Sequence, residues 1–578
     1  MCGFVGFING GDTQQDAGVL RSMTDAIRHR GPDDADYYMD GSISLGFRRL
    51  SIIDLEGGRQ PILNEDGSKV LTFNGEIYNF QEIKKDLLAA GHVFKTATDS
   101  EVLLHGYEEY GEKLLNKLRG MFAFVIWDKE KRELFGARDF FGIKPLYYAQ
   151  MGDTLMFGSE IKSFLHHPHF QKELNRPMLE NYLSFQYAPG PETFFKNVYK
   201  MPPAHSFLYK DGKVKLTRYW LPEFDAEEDK PLDYWVDEIE KVFDDSVEAH
   251  KISDVEVGSF LSSGVDSSYV ACSAHVDKTF TVGFDNGTKY NEISYAQELS
   301  ELIPVKNISH IITPEEFWGT FPKIQYHMDE PLADPAAVAL YFVCNLASQH
   351  LKVVLSGEGA DEIFGGYNIY KEPLEMAWYD KIPFPIRKLI GKVAGALPAH
   401  RGLNFLVRRG KRLEERFIGN AYMFTEKERR AILKDPAGAP APETLCKPYY
   451  DMVADKDAVT KMQFVDLNMW MVGDILLKAD KMSMANSLEL RVPFLDKKIM
   501  ALAGRIPTKY RVNSENTKYA MRKAALRRMP EKWAGKKKLG FPVPTRVWLK
   551  EDKYYNIVKE EFLGENAQKF FHTDKLVK

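Results

Sequence analysis

The sequence predicts two successive domains of different class, an α+β part followed by an α/β part. Three observations predict this. Up to about Tyr219 the chain reads as short strands and tight turns with a few helices between them. From Tyr234 onward strands alternate with helices, the pattern of a parallel sheet covered on both faces. Between them Leu221–Leu232 (LPEFDAEEDKPL) is acidic, carries two prolines and lacks periodicity, which marks a linker. The expected division is 2–220, a linker over 221–233, and 234–578.

In the first domain Met121–Trp127 is an unbroken apolar run, Asp128–Arg132 a charged turn and Glu133–Ala137 the return strand, together a hairpin. Ala17–Arg28 and Phe80–Ala90 carry apolar residues at helical spacing and are expected to cover the outer faces of sheets. In the second domain the helix Tyr234–His250 precedes a strand at Val255–Leu261, a loop of small residues, and a helix at Ser267–His275. Strands Thr279–Phe284 and Val305–Ile312 flank the helix Asn291–Leu302, and helix Ala336–His350 feeds strand Lys352–Leu355. The remainder is expected to be largely helical, broken at Pro383–Pro385 and over Asp435–Glu443; the basic stretch Arg401–Arg416 reads as a surface helix.

With 578 residues, 44% hydrophobic and 28% charged, the composition is that of a globular protein with sizeable cores, which excludes a disordered or low-complexity chain. No apolar run approaches the roughly 18 residues that span a bilayer, and no basic leader with an apolar segment opens the chain. A net charge of −5 offers no bulk attraction to nucleic acid. The four cysteines (Cys2, Cys272, Cys344, Cys446) stand too far apart for a metal knuckle and are too few for a disulfide scaffold. A cytoplasmic protein without nucleic-acid or membrane partners is the expectation; a homodimer is left open.

Cys2 directly follows the initiator methionine. Loss of Met1 would give it a free α-amino group beside its own thiol, so one residue would supply nucleophile and base. Taken alone, it is equally a small residue starting a strand. Asn74-Gly75, after the apolar run Val70–Phe73, is first a type I′ hairpin turn, but the Asn amide and the next N–H are also a donor pair for an oxyanion. Arg49 is suited to grip a carboxylate bidentately. Asp99 suits an ammonium or a helix N-cap.

These pieces together resemble the glutaminase domain of class II glutamine amidotransferases, which have an N-terminal-nucleophile αββα sandwich. The matching segments are Cys2-Gly3, HRGPDD at 29–34, RRLSIID at 48–54, FNGEIYN at 73–79, TDSE at 98–101 and GARDFFGIKPLYY at 136–148. The resemblance implies that Cys2 attacks the side-chain amide of glutamine and releases ammonia. It further implies that Asn74 and Gly75 line the oxyanion hole, that Arg49 holds the glutamine carboxylate, and that Glu76 and Asp99 hold its α-amino group.

The loop Ser259–Ser268 (SFLSSGVDSS) follows a strand and opens a helix, so backbone N–H groups and the hydroxyls of Ser262, Ser267 and Ser268 can crowd around phosphate oxygens. An ordinary strand–helix turn with a capping Asp or Ser is the alternative. Asp266 there suits a Mg²⁺ between carboxylate and pyrophosphate. The segment is similar to the SGGxDS signature of the ATP pyrophosphatase family, with Ser263 where Gly is usual, and its Cβ is expected to narrow the approach to pyrophosphate. A second motif, SGEGADEIFGGY at 356–367, is expected at the end of another strand of the same sheet.

A glutaminase followed by a Rossmann-like ATP pyrophosphatase domain with a helical C-terminal part resembles the glutamine-hydrolysing asparagine synthetase family. MDEPLADPAA at 328–337, LLKADKMSMANSLELRVPFLD at 476–496 and KKKLGFPVP at 536–544 match as well. The resemblance implies aspartate, glutamine and ATP as substrates, with Mg²⁺ held by Asp266 and Asp361. It implies that Phe260, Leu261, Ser262, Gly264, Val282, Ser356 and Gly357 surround the nucleotide, that Glu358 is the general base for ammonia, and that Lys538 steadies phosphate charge, with Lys481 and Arg491 as further candidates. Another acceptor carboxylate, in a cell-wall or secondary-metabolite pathway, is the alternative.

Overall fold

The computed structural model describes residues 2–9, 13–287, 290–375, 377–398, 400, 402–537, 540 and 542–576. Two antiparallel six-stranded sheets build the first domain. From edge to edge, one takes Val198–Lys200 (β10), Tyr147–Met151 (β8), Thr154–Gly158 (β9), Gly3–Ile8 (β1), Ile43–Arg49 (β3) and Asp34–Met39 (β2). The other takes Lys213–Arg218 (β12), His205–Lys210 (β11), Glu133–Arg138 (β7), Gly120–Asp128 (β6), Lys69–Ile77 (β5) and Ile62–Leu63 (β4).

The side-chain alternation of β6 explains the layering. Ala123, Val125 and Trp127 pack between the sheets with Phe4, Leu45 and Phe47. Phe122, Phe124 and Ile126 share the opposite core with Ile83 and Leu87 of α2 (Phe80–Ala90) and Leu103 and Leu104 of α3 (Glu101–Tyr110). An unbroken apolar run is therefore a strand covered on both faces. Each fully buried large apolar side chain here contributes roughly 1.5–3 kcal/mol of transfer free energy. Beyond the other sheet, α1 (Thr13–Asp25) sets Leu20 and Met23 against Val5 and Phe7. The order is helix, sheet, sheet, helix, as expected; α1 ends before Arg28, which opens a short 3-10 turn over Arg28–Arg30.

The hairpin reading of Asn74-Gly75 is overturned. β5 runs on to Ile77, with Asn74 opposite Ala123 and Gly75 opposite Phe122. A Cβ on Gly75 would stand 2.1 Å from the Met121 carbonyl oxygen, so glycine is required by close approach inside a strand.

The second domain holds a parallel sheet in the order Lys306–Ile312 (β15), Lys278–Phe284 (β14), Val257–Phe260 (β13), Val353–Leu355 (β16) and Glu489–Arg491 (β17). Helices Val265–Ala274, Ile293–Leu302 and Ala336–Ser348 connect its strands, close to the expected positions. Strand β17 was not foreseen, because three residues carry no periodicity of their own. The pair Pro383–Pro385 opens a helix (Phe384–Gly395) rather than breaking one, since a first-turn proline forfeits no intrahelical hydrogen bond.

The basic stretch 401–416 is not simply a solvated face; its first residue, Arg401, lies outside the described residues. Arg409 is fully buried and meets Asp380 at 2.9 Å, and Arg416 lies 3.5 Å from Glu372. Cys272, Cys344 and Cys446 are buried free thiols. Among the described residues no helix is long and apolar enough to cross a membrane.

Candidate active sites

The first site is built where β1 starts beside β5. Even-numbered residues of β5 share one face, which places Asn74 and Glu76 on the same side as Val70, toward the space between the sheets. The backbone N–H of Cys2 donates to Asn74 Oδ1 at 3.2 Å, and its thiol faces the Leu50 carbonyl at 3.9 Å. Asn74 is fully buried, and its Nδ2 has no hydrogen-bond partner within the protein. A buried amide donor left unpaired is costly, and a substrate oxygen would relieve it.

Beyond the end of β4, the Gln60 side chain stands in for a strand. It accepts from the Phe73 N–H at 2.7 Å and donates to the Phe73 carbonyl at 3.2 Å, fixing the approach to Asn74. Cys2, Arg49, Gly75, Glu76 and Asp99 line one small cavity of about 30 Å³. Arg49 crosses its rim, donating to the carbonyls of Asp54 (2.5 Å) and Leu55 (3.4 Å). Asp99 is not a helix cap: its Oδ2 accepts from the Ile77 N–H at 2.8 Å.

The electrostatics of this cavity call for a cation. Glu76, Asp99 and Glu489 are buried together, with the Arg491 guanidinium among them, 3.5 Å from Glu76 and 2.5 Å from Glu489. Burial, reinforced by Glu489 and Asp99, pushes the Glu76 carboxyl well above its usual range. Burial and Glu489 raise Asp99 to about 7, against the Ile77 N–H and Arg491. An ammonium bound between them requires both in the ionised form, so ligand binding displaces a proton below that pH.

With glutamine as the ligand, as the resemblance implies, its KM is expected to rise as pH falls from 7 to 5, approaching about tenfold per pH unit for one displaced proton. Asp99→Asn is expected to raise that KM at pH 8 and flatten the dependence. Steady-state kinetics across this range check it, and a constant wild-type KM would sink the assignment. Burial also pushes the Cys2 thiol up, so forming a thiolate there requires an adjacent base.

The second site lies at the C-terminal ends of β13 and β16. A cavity of about 220 Å³ is lined by Phe260, Leu261, Ser262, Gly264, Asp266, Ser267, Val282, Ser356, Gly357, Glu358 and Asp361. The two motif loops touch: a Cβ on Gly357 would stand 2.7 Å from the Ser267 nitrogen. Ser268 is fully buried and does not line the cavity, so its hydroxyl is not a phosphate donor here. The Ser263 hydroxyl is turned onto Glu292 Oε1 at 2.5 Å, which gives the departure from the signature a local partner.

Asp266 and Asp361 converge on one cation. Lys518 Nζ lies 2.5 Å from Asp266 and 2.6 Å from Asp361. Lys478, Lys518, Arg522, Lys536 and Lys537 all line this cavity, so positive charge is concentrated here in a chain that is net acidic. Lys538 lies outside the described residues. Neither Lys481 nor Arg491 lines the cavity. Lys481 is paired with Asp329, and Arg491 belongs to the first site. Paired carboxylates ringed by lysines and an arginine fit a polyphosphate with a divalent cation.

Comparison with known proteins covers both parts of the chain. A family model described as asparagine synthase matches residues 238–578, and one described as a glutamine amidotransferase domain matches 1–220. The chain belongs to the asparagine synthase family. It is 45% identical over 575 residues to glutamine-hydrolyzing asparagine synthetase 1 of Bacillus subtilis, covering 97% of this chain and 90% of that protein. It is 40% identical over 580 residues to a putative glutamine-hydrolyzing asparagine synthetase of Mycobacterium tuberculosis, covering 95% and 88%. Among solved structures, a glutamine phosphoribosylpyrophosphate amidotransferase from B. subtilis overlaps 62% of this chain and 75% of its own, at 16% identity and a TM-score of 0.29, too distant to bear on either site.

Within this family layout the sequence assigned Arg491 only a phosphate role and assigned Arg30 no role in joining the sites. The Arg491 side chain meets Glu76, while its backbone carbonyl accepts from the N–H of Ser356, the first residue of the second nucleotide loop, at 2.8 Å. Arg30, fully buried, donates to the Cys2 carbonyl at 3.3 Å and forks onto Asp480 of the helix Leu476–Met484 at 2.8 and 3.1 Å. A buried guanidinium held this way is paired on every side, and removing a partner is costly. Arg30, Asp480 and Glu489 fall inside the matching segments but carry no signal of this role there, and Lys518 falls in none; their meaning depends on partners far along the chain.

Proposed function

We propose that this chain is a glutamine-dependent, ATP-dependent asparagine synthetase forming AMP and pyrophosphate. The observation that carries the reading is the pairing, in one chain, of a cysteine pocket holding an unpartnered amide donor with a lysine-ringed cavity holding Asp266 and Asp361.

With Met1 removed, the nitrogen that Asn74 Oδ1 holds becomes an amine beside the Cys2 thiol. It takes the thiol proton as sulfur attacks the glutamine amide carbon, and it passes that proton to the departing ammonia. Asn74 Nδ2 and the Gly75 N–H receive the tetrahedral oxyanion. Arg49 pairs with the glutamine carboxylate, and Glu76 with Asp99 holds its ammonium. Water then hydrolyses the thioester to glutamate.

In the second cavity the aspartate β-carboxylate attacks the α-phosphorus of ATP, and the bond to pyrophosphate breaks. Asp266 and Asp361 hold Mg²⁺, which when bound neutralises pyrophosphate charge. Lys478, Lys518, Lys536 and Lys537 line the same cavity and pair with the phosphates, and Lys538 is assigned its phosphate role by the family resemblance alone. Main chain around Phe260–Ser262, Val282, Ser356 and Gly357 holds the adenosine part. Ammonia passing between the domains attacks the β-aspartyl carbonyl, Glu358 takes a proton and AMP leaves. The domain matches fall on either side of the 221–233 linker, which supports the division 2–220 and 234–578. A cytoplasmic location and small-molecule substrates complete the reading.

The test supplies ATP, Mg²⁺ and glutamine with a panel of carboxylic acids and follows pyrophosphate release. Aspartate is expected to give the strongest response. No aspartate-dependent signal beside a strong response to another acid would overturn the acceptor assignment.

A further inference from the structure

On the helical side of the glutaminase domain, the turn after β4, the segment following α2, and α3 bring two imidazoles and two carboxylates together: Glu65, His92, His105 and Glu108. None of them lines either active-site cavity. One ligand atom from each lies within 4.8 Å of the others. His92 Nδ1 is 3.3 Å from Glu65 Oε1, and His105 Nδ1 is 3.3 Å from both Glu65 Oε2 and Glu108 Oε2. A tetrahedral ion with bonds of about 2.0–2.1 Å sets its ligand atoms about 3.3–3.4 Å apart, so three of the contacts already stand at that spacing and the four atoms, all within 4.8 Å, would draw in around the ion. His105 Nδ1 has room for one proton yet faces two carboxylates, a demand that one divalent cation among the four groups meets in full.

We propose that these four residues bind a structural zinc(II) ion that holds the Asp99-bearing segment of the glutamine pocket in place. Two imidazole nitrogens with two carboxylate oxygens suit zinc, whereas magnesium favours an all-oxygen shell. The outer partners of such a site are also present. His92 Nε2 lies 3.7 Å from Glu109, and His105 Nε2, fully buried and without a hydrogen-bond partner, lies 3.9 Å from Glu101. Glu108 Oε1 accepts from Asn64 Nδ2 at 2.7 Å, leaving its other oxygen for the ion. Glu108 is thus oriented by a hydrogen bond from behind, and each imidazole has a carboxylate within 4 Å of its outer nitrogen.

Glu65 is exposed and opens a route from solvent. The link to the pocket runs through Glu101. Its carboxylate accepts from the backbone N–H groups of Lys95 (3.0 Å) and Thr96 (2.7 Å), just before Asp99.

The test uses the full chain, stripped by a chelator and kept in excess Mg²⁺ so that the Asp266–Asp361 pair is saturated. It is titrated with Zn²⁺, desalted and analysed for metal. One zinc per chain is expected, with affinity at least about tenfold weaker in His92→Gln and in Glu108→Gln. Both side chains are partly exposed, and circular dichroism verifies that the variants fold. The glutamine KM is expected to be lower in the zinc-loaded than in the stripped wild type, with ammonia-dependent turnover unchanged.

No stoichiometric zinc, or uptake that both variants leave undiminished, overturns the site. An identical KM in both forms overturns its holding role. The KM readout rests on the glutaminase reading, but the metal count does not, so the two fail separately.

Discussion

Replacing Cys2 with alanine is expected to lower glutamine-dependent asparagine formation by about 10³-fold or more, while ammonia-dependent formation stays near wild type. The thiol is the only atom removed. Among the described residues its hydrogen-bonding neighbour is the Leu50 carbonyl at 3.9 Å, so its loss costs the fold little. The Asn74 amide, the Gly75 backbone and the carboxylates of Glu76 and Asp99 remain, so glutamine should still bind. What disappears is the sulfur proposed to form the thioester. Parallel assays with glutamine and with ammonium salts, both following asparagine, check this. Loss of both activities together would mean that the two cavities do not divide the reaction between them.

Asp266→Asn and Asp361→Asn are expected to do the converse. Each removes one of the two carboxylates that meet at Lys518. With half of the charge that would hold a cation against pyrophosphate gone, pyrophosphate release should fall by about 10²–10³-fold with either nitrogen source. Glutamine hydrolysis at Cys2 should persist. Asparagine has nearly the shape of aspartate, and the remaining carboxylate still pairs with Lys518, so a thermal melt separates lost chemistry from lost folding. Full synthetase activity in Asp361→Asn would remove the carboxylate pair from the phosphate site.

Much of both sites was legible in the residues because their signals are local. Cys2 is placed by its position at the chain start. Asn74-Gly75 follows an apolar strand run, and Ser262–Ser267 and Ser356–Asp361 each end a strand. Strand runs such as Met121–Trp127 declare themselves through composition, and Phe80–Ala90 through helical spacing. The reading failed where a local pattern has two solutions. Asn-Gly favours a tight turn in isolation, but in β5 the carbonyl of Met121 packs so closely that only glycine fits, and the strand continues. Ser268 looked like a phosphate donor by its neighbours, yet the helix turns it inward. Arg409 looked solvated by composition, yet its side chain is fully buried and pairs with Asp380 at its edge.

By itself, then, the sequence determined the two-domain order and singled out the proposed nucleophile, the proposed oxyanion donor pair and the two loops of the proposed nucleotide site, because each is written in a few consecutive residues. Only the tertiary structure decided what completes them. Glu489 and Arg491 lie on a three-residue strand of the second domain, yet they set the charge around Glu76 and Asp99 in the first. Lys518 closes the Asp266–Asp361 pair from far along the chain, and Arg30 ties Cys2 to Asp480. The physical reason is that a buried charge takes its meaning from its neighbours in space. Sheet pairing and domain packing choose those neighbours, and no local spacing records that choice.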